Sequence, residues 1–343
     1  MQSLSSTSSS EPTPIRPLRE LSIIVLFFVM AEVVVRILVG ADVLGPPHGQ
    51  WPRSDYPSTI AMIERQQPEV IVTGNSRVVS GFNPTIFSQF VTNETGQPIR
   101  TLNAGHGGTS PQILAPLIRY FYMPKAPSAK IIVAISPLDM GSSNIAWQQE
   151  ATNFLDSPEV REQMGQSEFD PRAAFDDLWY TYAYRHALGE FIQNLRPPRL
   201  SLPNRDEQGY LFDDTIMDVQ ATRENFVIED LAVNENFPQT TDGPSLDALI
   251  DLMQHSDGRL IVVNVPSYIS ILPGYEDYEP IYRDLWPQIE AQCAQYSIPC
   301  WDFQTLVEDG TLDASHFSNP THLNADGAVI FSIELARRYT EPF

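Results

Sequence analysis

Residues Leu21 to Val39 read LSIIVLFFVMAEVVVRILV, an apolar run of 19 residues. As a helix it would rise roughly 28 Å, close to the thickness of a hydrocarbon core. Glu32 and Arg36 interrupt the run at i,i+4, where they can face and partly neutralise each other on one side of the helix. Ionisable groups in a span pair in this way or snorkel near its ends, so both are expected in the outer part of the span, against a partner helix. An interfacial or buried helix of a soluble protein and a cleaved signal peptide are the competing readings. The length of the run and the lack of a clean small-x-small cleavage site favour an uncleaved anchor. Arg16 and Arg19 precede the span, and no Lys or Arg follows it until Arg53, which puts the N-terminus in the cytoplasm. The expected organisation is a disordered cytoplasmic tail over 1–20, a transmembrane anchor over 21–40 and a linker over 41–68, with everything beyond about residue 41 outside the cytoplasm.

The rest of the 343-residue chain has enough apolar content, 42%, to bury a full core. A formal charge of −22 repels phosphate backbones, so nucleic acid is excluded as a partner. Two cysteines, Cys293 and Cys300, cannot build a disulfide framework or a four-thiolate zinc site. They are either a single bridge in an oxidising compartment or two free thiols.

From residue 69 onward, short β-branched runs alternate with helical segments. Strands are expected at 69–73 (EVIVT), 99–103 (IRTLN), 129–135 (AKIIVAI), 259–265 (RLIVVNV) and 299–303 (PCWDF). Helices are expected at 111–122, 245–255, 278–296 and 325–339. This pattern predicts a parallel sheet covered by helices on both faces. Roughly 120 residues separate the third strand from the fourth, far more than a crossover needs. The stretch 141–242, with one helix around 171–195, is read as an insertion that caps the carboxyl edge of the sheet.

Ligands of open parallel sheets bind beyond the carboxyl ends of the strands. Ser76 follows the first strand in Gly74-Asn75-Ser76-Arg77, where a glycine that permits an unusual backbone angle and the start of a helix suit either a nucleophile or a helix-capping serine. Gly105, Gly107 and Gly108 follow the second strand and would let a backbone amide approach a substrate, or simply turn the chain. Ser136-Pro137-Leu138-Asp139 follows the third strand. His322 stands in THLNADGA on a loop before the last helix. Asp313, His316 and His322 could alternatively hold a metal, although no fourth ligand is evident.

GNSR after the first strand, NAGHGGTSP after the second and NPTHLNADGA near the end resemble sequence blocks of the SGNH, or GDSL-like, hydrolase superfamily. The likeness is greatest to its membrane-anchored bacterial branch with a Gly-Ser-Ser-Arg first block. The resemblance covers most of 69–139 and 259–337 and leaves the insertion unmatched. It implies a flavodoxin-like three-layer α/β sandwich over 69–343, with a parallel sheet, the helical insertion after strand three and the one N-terminal transmembrane helix.

The same resemblance makes Ser76 the nucleophile, His322 the general base, and the amides of Ser76 and Gly108 the oxyanion hole. Asn75 and Arg77, which flank Ser76, are further candidates for oxyanion or substrate binding. It implies no cofactor. It also implies an extracytoplasmic esterase or O-acyltransferase acting on acyl groups of a cell-envelope polysaccharide or related polymer, in some relatives beside a multi-spanning acyltransferase. A catalytically degenerate protein that binds a glycan or such a partner is the alternative. Two departures motivate that alternative. Leu138 stands where the superfamily has an oxyanion Asn, a donor that Asn144 is a candidate to replace. Asn319 stands where the Asp that orients the histidine belongs. Asp313 repeats the Asp-x-x-His spacing with His316 and is the second candidate to orient His322.

Overall fold

A computed structural model of the chain describes residues 16–40, 55–140, 205–226, 228 and 243–341, together with 154, 155, 160, 161, 164, 165, 179, 181 and 188. The helix expected over 171–195, most of the insertion and Asn144 lie outside the described residues. The chain divides into two compact units, Met1–Pro52 with Phe169–Arg199, and Arg53–Glu168 with Leu200–Phe343.

The first unit contains α1 (Arg16–Gly40), a helix long and apolar enough to cross a membrane. It already begins within the segment expected to be a disordered tail. Most of its apolar side chains are exposed, Phe27 to 70%, whereas Val35 is buried. The i,i+4 pair forms as expected, with Arg36 Nε donating to Glu32 Oε1 at 2.9 Å. The other Glu32 oxygen accepts from the amide and the hydroxyl of Thr181, both at 2.9 Å. Phe28 meets Trp179 edge to face, with ring centroids 6.4 Å apart.

The second unit is built on a five-stranded parallel sheet in the order β2-β1-β3-β4-β5. The strands are β1 (Val70–Gly74), β2 (Thr101–Asn103), β3 (Lys130–Ile135), β4 (Leu260–Asn264) and β5 (Cys300–Asp302). β2 to β5 fall inside the runs read from sequence, and β1 extends one residue beyond its run, to Gly74. Every residue of β1 and β4 is buried, which is why these strands read as continuous apolar runs rather than alternating ones.

Successive side chains point to opposite faces. Val70, Val72, Ile132, Ala134, Ile261, Val263 and Trp301 join one core with Phe82, Phe87, Phe331 and Leu335. That core lies under α3 (Ser76–Gly81), α4 (Pro84–Thr95) and α9 (Ala325–Thr340), and α9 packs on both α3 and α4. On the second face, α5 (Pro111–Leu117) packs on α7 (Pro244–Gln254), and α8 (Tyr275–Gln295) contacts α7 and β5. A shorter helix, α6 (Val219–Asn225), precedes α7.

Two local expectations are corrected. The segment 41–68, expected as a linker, contains α2 (Asp55–Gln66), whose Tyr56, Thr59, Met62 and Ile63 are buried, so the packed unit starts before residue 69. The helix expected over 111–122 is α-helical only to Leu117 and continues as a π-helical turn over Ile118–Tyr122. Pro116 and Pro124 remove donors from its i→i−4 ladder, which accounts for the widened turn between them. Of the two readings left open for the cysteines, the structure has the free thiols: the neighbouring Cys293 together with burial pushes the Cys300 thiol well above its ordinary range.

Candidate active site

Gly74 ends β1 without a positive φ, so its role is steric rather than torsional. A Cβ there would lie 2.1 Å from the Ala134 carbonyl oxygen and 2.4 Å from a Val78 methyl, which lets β3 and α3 close on the turn. Asn75 then caps α3 by accepting the Arg77 amide at 2.9 Å. The Asn75 amide group and the Arg77 guanidinium both donate to Asp139 Oδ1, while Asp139 Oδ2 accepts the Ser136 amide at 2.8 Å. Arg77 and Asp139 form a buried ion pair. Burial pushes the Asp139 carboxyl up, against the opposing pull of Arg77 and its hydrogen bonds. Asn75 and Arg77, expected as oxyanion or substrate-binding candidates, are instead buried and clamp the end of β1 to the end of β3 through Asp139.

His322 is delivered by an antiparallel hairpin, β6 (Phe317–Asn319) and β7 (His322–Leu323), in which Asn319 pairs with His322. Gly327, at the foot of α9, lets the hairpin close, since a Cβ there would lie 2.2 Å from the His316 carbonyl oxygen. His322 Nε2 is 2.8 Å from Ser76 Oγ, and His322 Nδ1 is 3.0 Å from Asn319 Oδ1 and 2.9 Å from Thr321 Oγ1.

The Thr321 amide decides the tautomer. It can only donate, and it lies 2.9 Å from Asn319 Oδ1, so that atom is the amide oxygen and not the nitrogen. An oxygen facing Nδ1 requires the proton on Nδ1. Nε2 is then bare and aimed at the Ser76 hydroxyl, the tautomer a general base needs. Burial and the Arg77 charge, opposed by Asp213, push the ring down to a pKa of about 4.

Of the two residues expected to orient His322, Asn319 makes the contact and Asp313 does not. The Asp313 carboxylate caps a short 3-10 turn over Ala314–His316, accepting from the Ser315 amide at 2.9 Å and its hydroxyl at 2.6 Å, and the Asp313 amide donates to His316 Nδ1 at 3.1 Å. The metal reading for Asp313, His316 and His322 fails on the same geometry, because both His322 nitrogens are engaged by Ser76, Asn319 and Thr321. Among the described residues no cluster of three such ligands forms. Leu138 is buried in an apolar cluster with Ile228, Ile269 and Leu272, so it offers no polar substitute for an oxyanion Asn.

The loop after β2 assigns its glycines different tasks. The Gly105 amide is taken by Asn103 Oδ1 at 3.0 Å, and a Cβ at Gly105 would press on Val78 and Val79 at 3.0 Å. Gly108 is exposed with φ +68°, at the tip of the turn. Asn103, which opens the NAGHGGTSP block but was given no role of its own, holds the loop: fully buried, its amide donates to the carbonyls of Val78, Val79 and Phe82. A polar residue closing an otherwise apolar strand was the available signal. His106 anchors the same loop from inside, its Nε2 2.6 Å from the Tyr122 hydroxyl and its ring 4.4 Å from that of Tyr56. Thr321 was also missed, and its position next to the histidine was the available signal.

No protein-family model and no curated protein matches this chain. Among solved structures, the chain is similar to a lipase/acylhydrolase from Enterococcus faecalis, with a TM-score of 0.37 and 9% identity over 79% of this chain and 94% of that one. It is also similar to a gut microbial diltiazem-metabolizing enzyme, with a TM-score of 0.36 and 11% identity over 79% of this chain and 46% of that one.

Proposed function

We propose that the α/β unit is a serine esterase or O-acyltransferase, held at a membrane by α1 with the unit outside the cytoplasm, and that its substrate is an acyl group on a cell-envelope polysaccharide or related polymer. The observation that carries this reading is the chain of contacts from Ser76 Oγ to His322 Nε2 at 2.8 Å and from His322 Nδ1 to Asn319 Oδ1 at 3.0 Å. A hydroxyl, a bare ring nitrogen and an acceptor that fixes the ring are the parts that nucleophilic acyl transfer requires.

In this reading Ser76 Oγ attacks the acyl carbonyl carbon as its proton passes to His322 Nε2, forming a tetrahedral oxyanion. The amides of Ser76 and Gly108 are its donors, and the Arg77 charge beside His322 favours the same anion. Collapse expels the alcohol, which takes the proton back from His322, and leaves Ser76 acylated. Water or a sugar hydroxyl, deprotonated by His322, then receives the acyl group. A sugar acceptor makes the protein a transferase, and a multi-spanning acyltransferase is the partner that would supply it with acyl groups. Leu138 favours a second reading, a glycan-binding relative without turnover, because the oxyanion donor of that position is absent.

The test is labelling of the purified protein with a fluorophosphonate probe, followed by peptide mapping. Label on Ser76 that disappears in both Ser76→Ala and His322→Ala supports the enzyme. Label on another serine, or none in a folded wild-type protein, sinks it in favour of the binding reading.

A further inference from the structure

The segment 205–218, part of the insertion, runs across all three parts of the candidate site. Arg205 donates to the Gly105 carbonyl at 2.6 Å, and the Asn103 amide donates to the Gln208 carbonyl at 2.9 Å. Gly209 makes that crossing possible, with φ +84° and a would-be Cβ 2.1 Å from the Asn103 carbonyl oxygen. The Leu211 amide donates to the Val79 carbonyl of α3 at 3.0 Å. Further on, Ala325 donates to the Asp213 carbonyl at 2.5 Å and Met217 donates to the Phe317 carbonyl at 2.8 Å. The strap is thus pinned on both sides of the His322 hairpin, and Asp213 is itself one of the pins. The Asp213 carboxylate accepts from the Thr215 amide at 3.0 Å and from the hydroxyl of Ser318, a hairpin residue.

We propose that Asp213 is a positioning residue for the acyl-transfer reaction, supplying from the strap the negative charge that Asn319 does not carry. The proposal rests on the hydrolase reading for its kinetic consequence but not for the electrostatic coupling itself. Among the described residues, Arg77 and Asp213 act on His322 with opposite signs. On its other side Asp213 acts on Tyr210, whose hydroxyl burial and the carboxylates of Asp206, Asp213 and Asp326 hold up at about 12. Burial pushes the Asp213 carboxyl up, but the bonds from Thr215 and Ser318 and the attraction to His322 outweigh it and keep it ionised. The labour of the usual orienting carboxylate is divided: Asn319 selects the tautomer and Asp213 favours the imidazolium that forms when Ser76 loses its proton.

Asp213→Asn keeps the shape and the Thr215 contact while deleting the charge. NMR titration of the His322 ring protons should show its pKa fall by about half a unit or more in this variant, and stay near the wild-type value in Asp213→Glu. kcat on a small acyl ester should fall about three- to tenfold with KM little changed. The acid limb of its pH profile should move to lower pH. Asn319→Asp should restore more activity in the Asp213→Asn background than it adds to the wild type. An unchanged His322 pKa in a folded Asp213→Asn protein, or equal gains from Asn319→Asp in both backgrounds, overturns the proposal. If wild-type protein hydrolyses no ester while the His322 pKa still moves, the coupling stands and the hydrolase reading is what has failed.

Discussion

Asn319→Asp puts a carboxylate where the structure has an amide, at a position whose contacts an aspartate can keep. Asn319 Oδ1 accepts from the Thr321 amide at 2.9 Å, the Thr321 hydroxyl at 3.1 Å and faces His322 Nδ1 at 3.0 Å. A carboxylate oxygen satisfies all three. What changes is charge. With charge centres about 4 Å apart and an effective dielectric constant of about 20, the attraction is about 4 kcal/mol, or roughly 3 pKa units. His322 should therefore rise from about 4 to between about 6 and 7. Loss of the corresponding carboxylate in a serine protease costs about 10⁴, much of it through the wrong tautomer. Here the Thr321 amide already secures the right one, so only the charge contribution remains to be gained. We expect kcat/KM on a small acyl ester, measured above the titration of both proteins, to rise on the order of 10²-fold. The acid limb of the pH profile should move from near 4 to above 6. A folded variant with unchanged activity and an unmoved limb would refute the assignment of Asn319 as the residue that holds His322.

The same histidine makes stability depend on pH. Its ring binds a proton below about 6.5 when unfolded but only below about 4 when folded, so between these values the unfolded state holds more protons and stability rises with pH. Chemical denaturation from pH 7 down to 4 should lose roughly 2 to 3 kcal/mol from this group, and His322→Ala should flatten that slope. An equally steep slope in the variant would exclude His322 as its source. Arg77→Gln leaves the buried Asp139 carboxylate without its cation, and should cost about 3–5 kcal/mol with a matching fall in Tm. A loss under about 1 kcal/mol would mean that Asn75 and the Ser136 amide suffice to hold that charge. Protease treatment of intact spheroplasts should release the acidic α/β unit, and its retention with cytoplasmic markers intact would count against the proposed topology.

The centre of the sheet was legible because β1, β3 and β4 are short β-branched runs, β1 closed by Gly74 and β4 by Asn264. The physical role read into such a residue was less secure. Gly74 looked like a torsional requirement and is a packing one, because the atoms that exclude its Cβ belong to β3 and α3, which a linear reading does not place beside it. Helix α2 was overlooked for a related reason. Its buried stripe of Tyr56, Thr59, Met62 and Ile63 mixes polar with apolar residues, and the surface it meets near Met123–Lys125 is built from distant sequence.

In the site, the sequence supplied candidates and the structure supplied the choice. Asn319 and Asp313 both stand three residues before a histidine, and spacing alone ranks the carboxylate at least as high. Local hydrogen bonding decides against Asp313, whose carboxylate is committed to the amide and hydroxyl of Ser315. Asp213 shows the opposite limit. No motif links it to His322, and its approach depends on a strap whose register is fixed by Gly209 against Asn103, Leu211 against Val79 and Met217 against Phe317. A sequence block can encode the tautomer of a histidine, since that needs only the residues flanking it. The charge that favours its protonated form acts through space and can arrive from anywhere in the chain. An amide in the Asp-x-x-His position is therefore weak evidence against catalysis until the carboxylates reaching that histidine from elsewhere in the fold have been found.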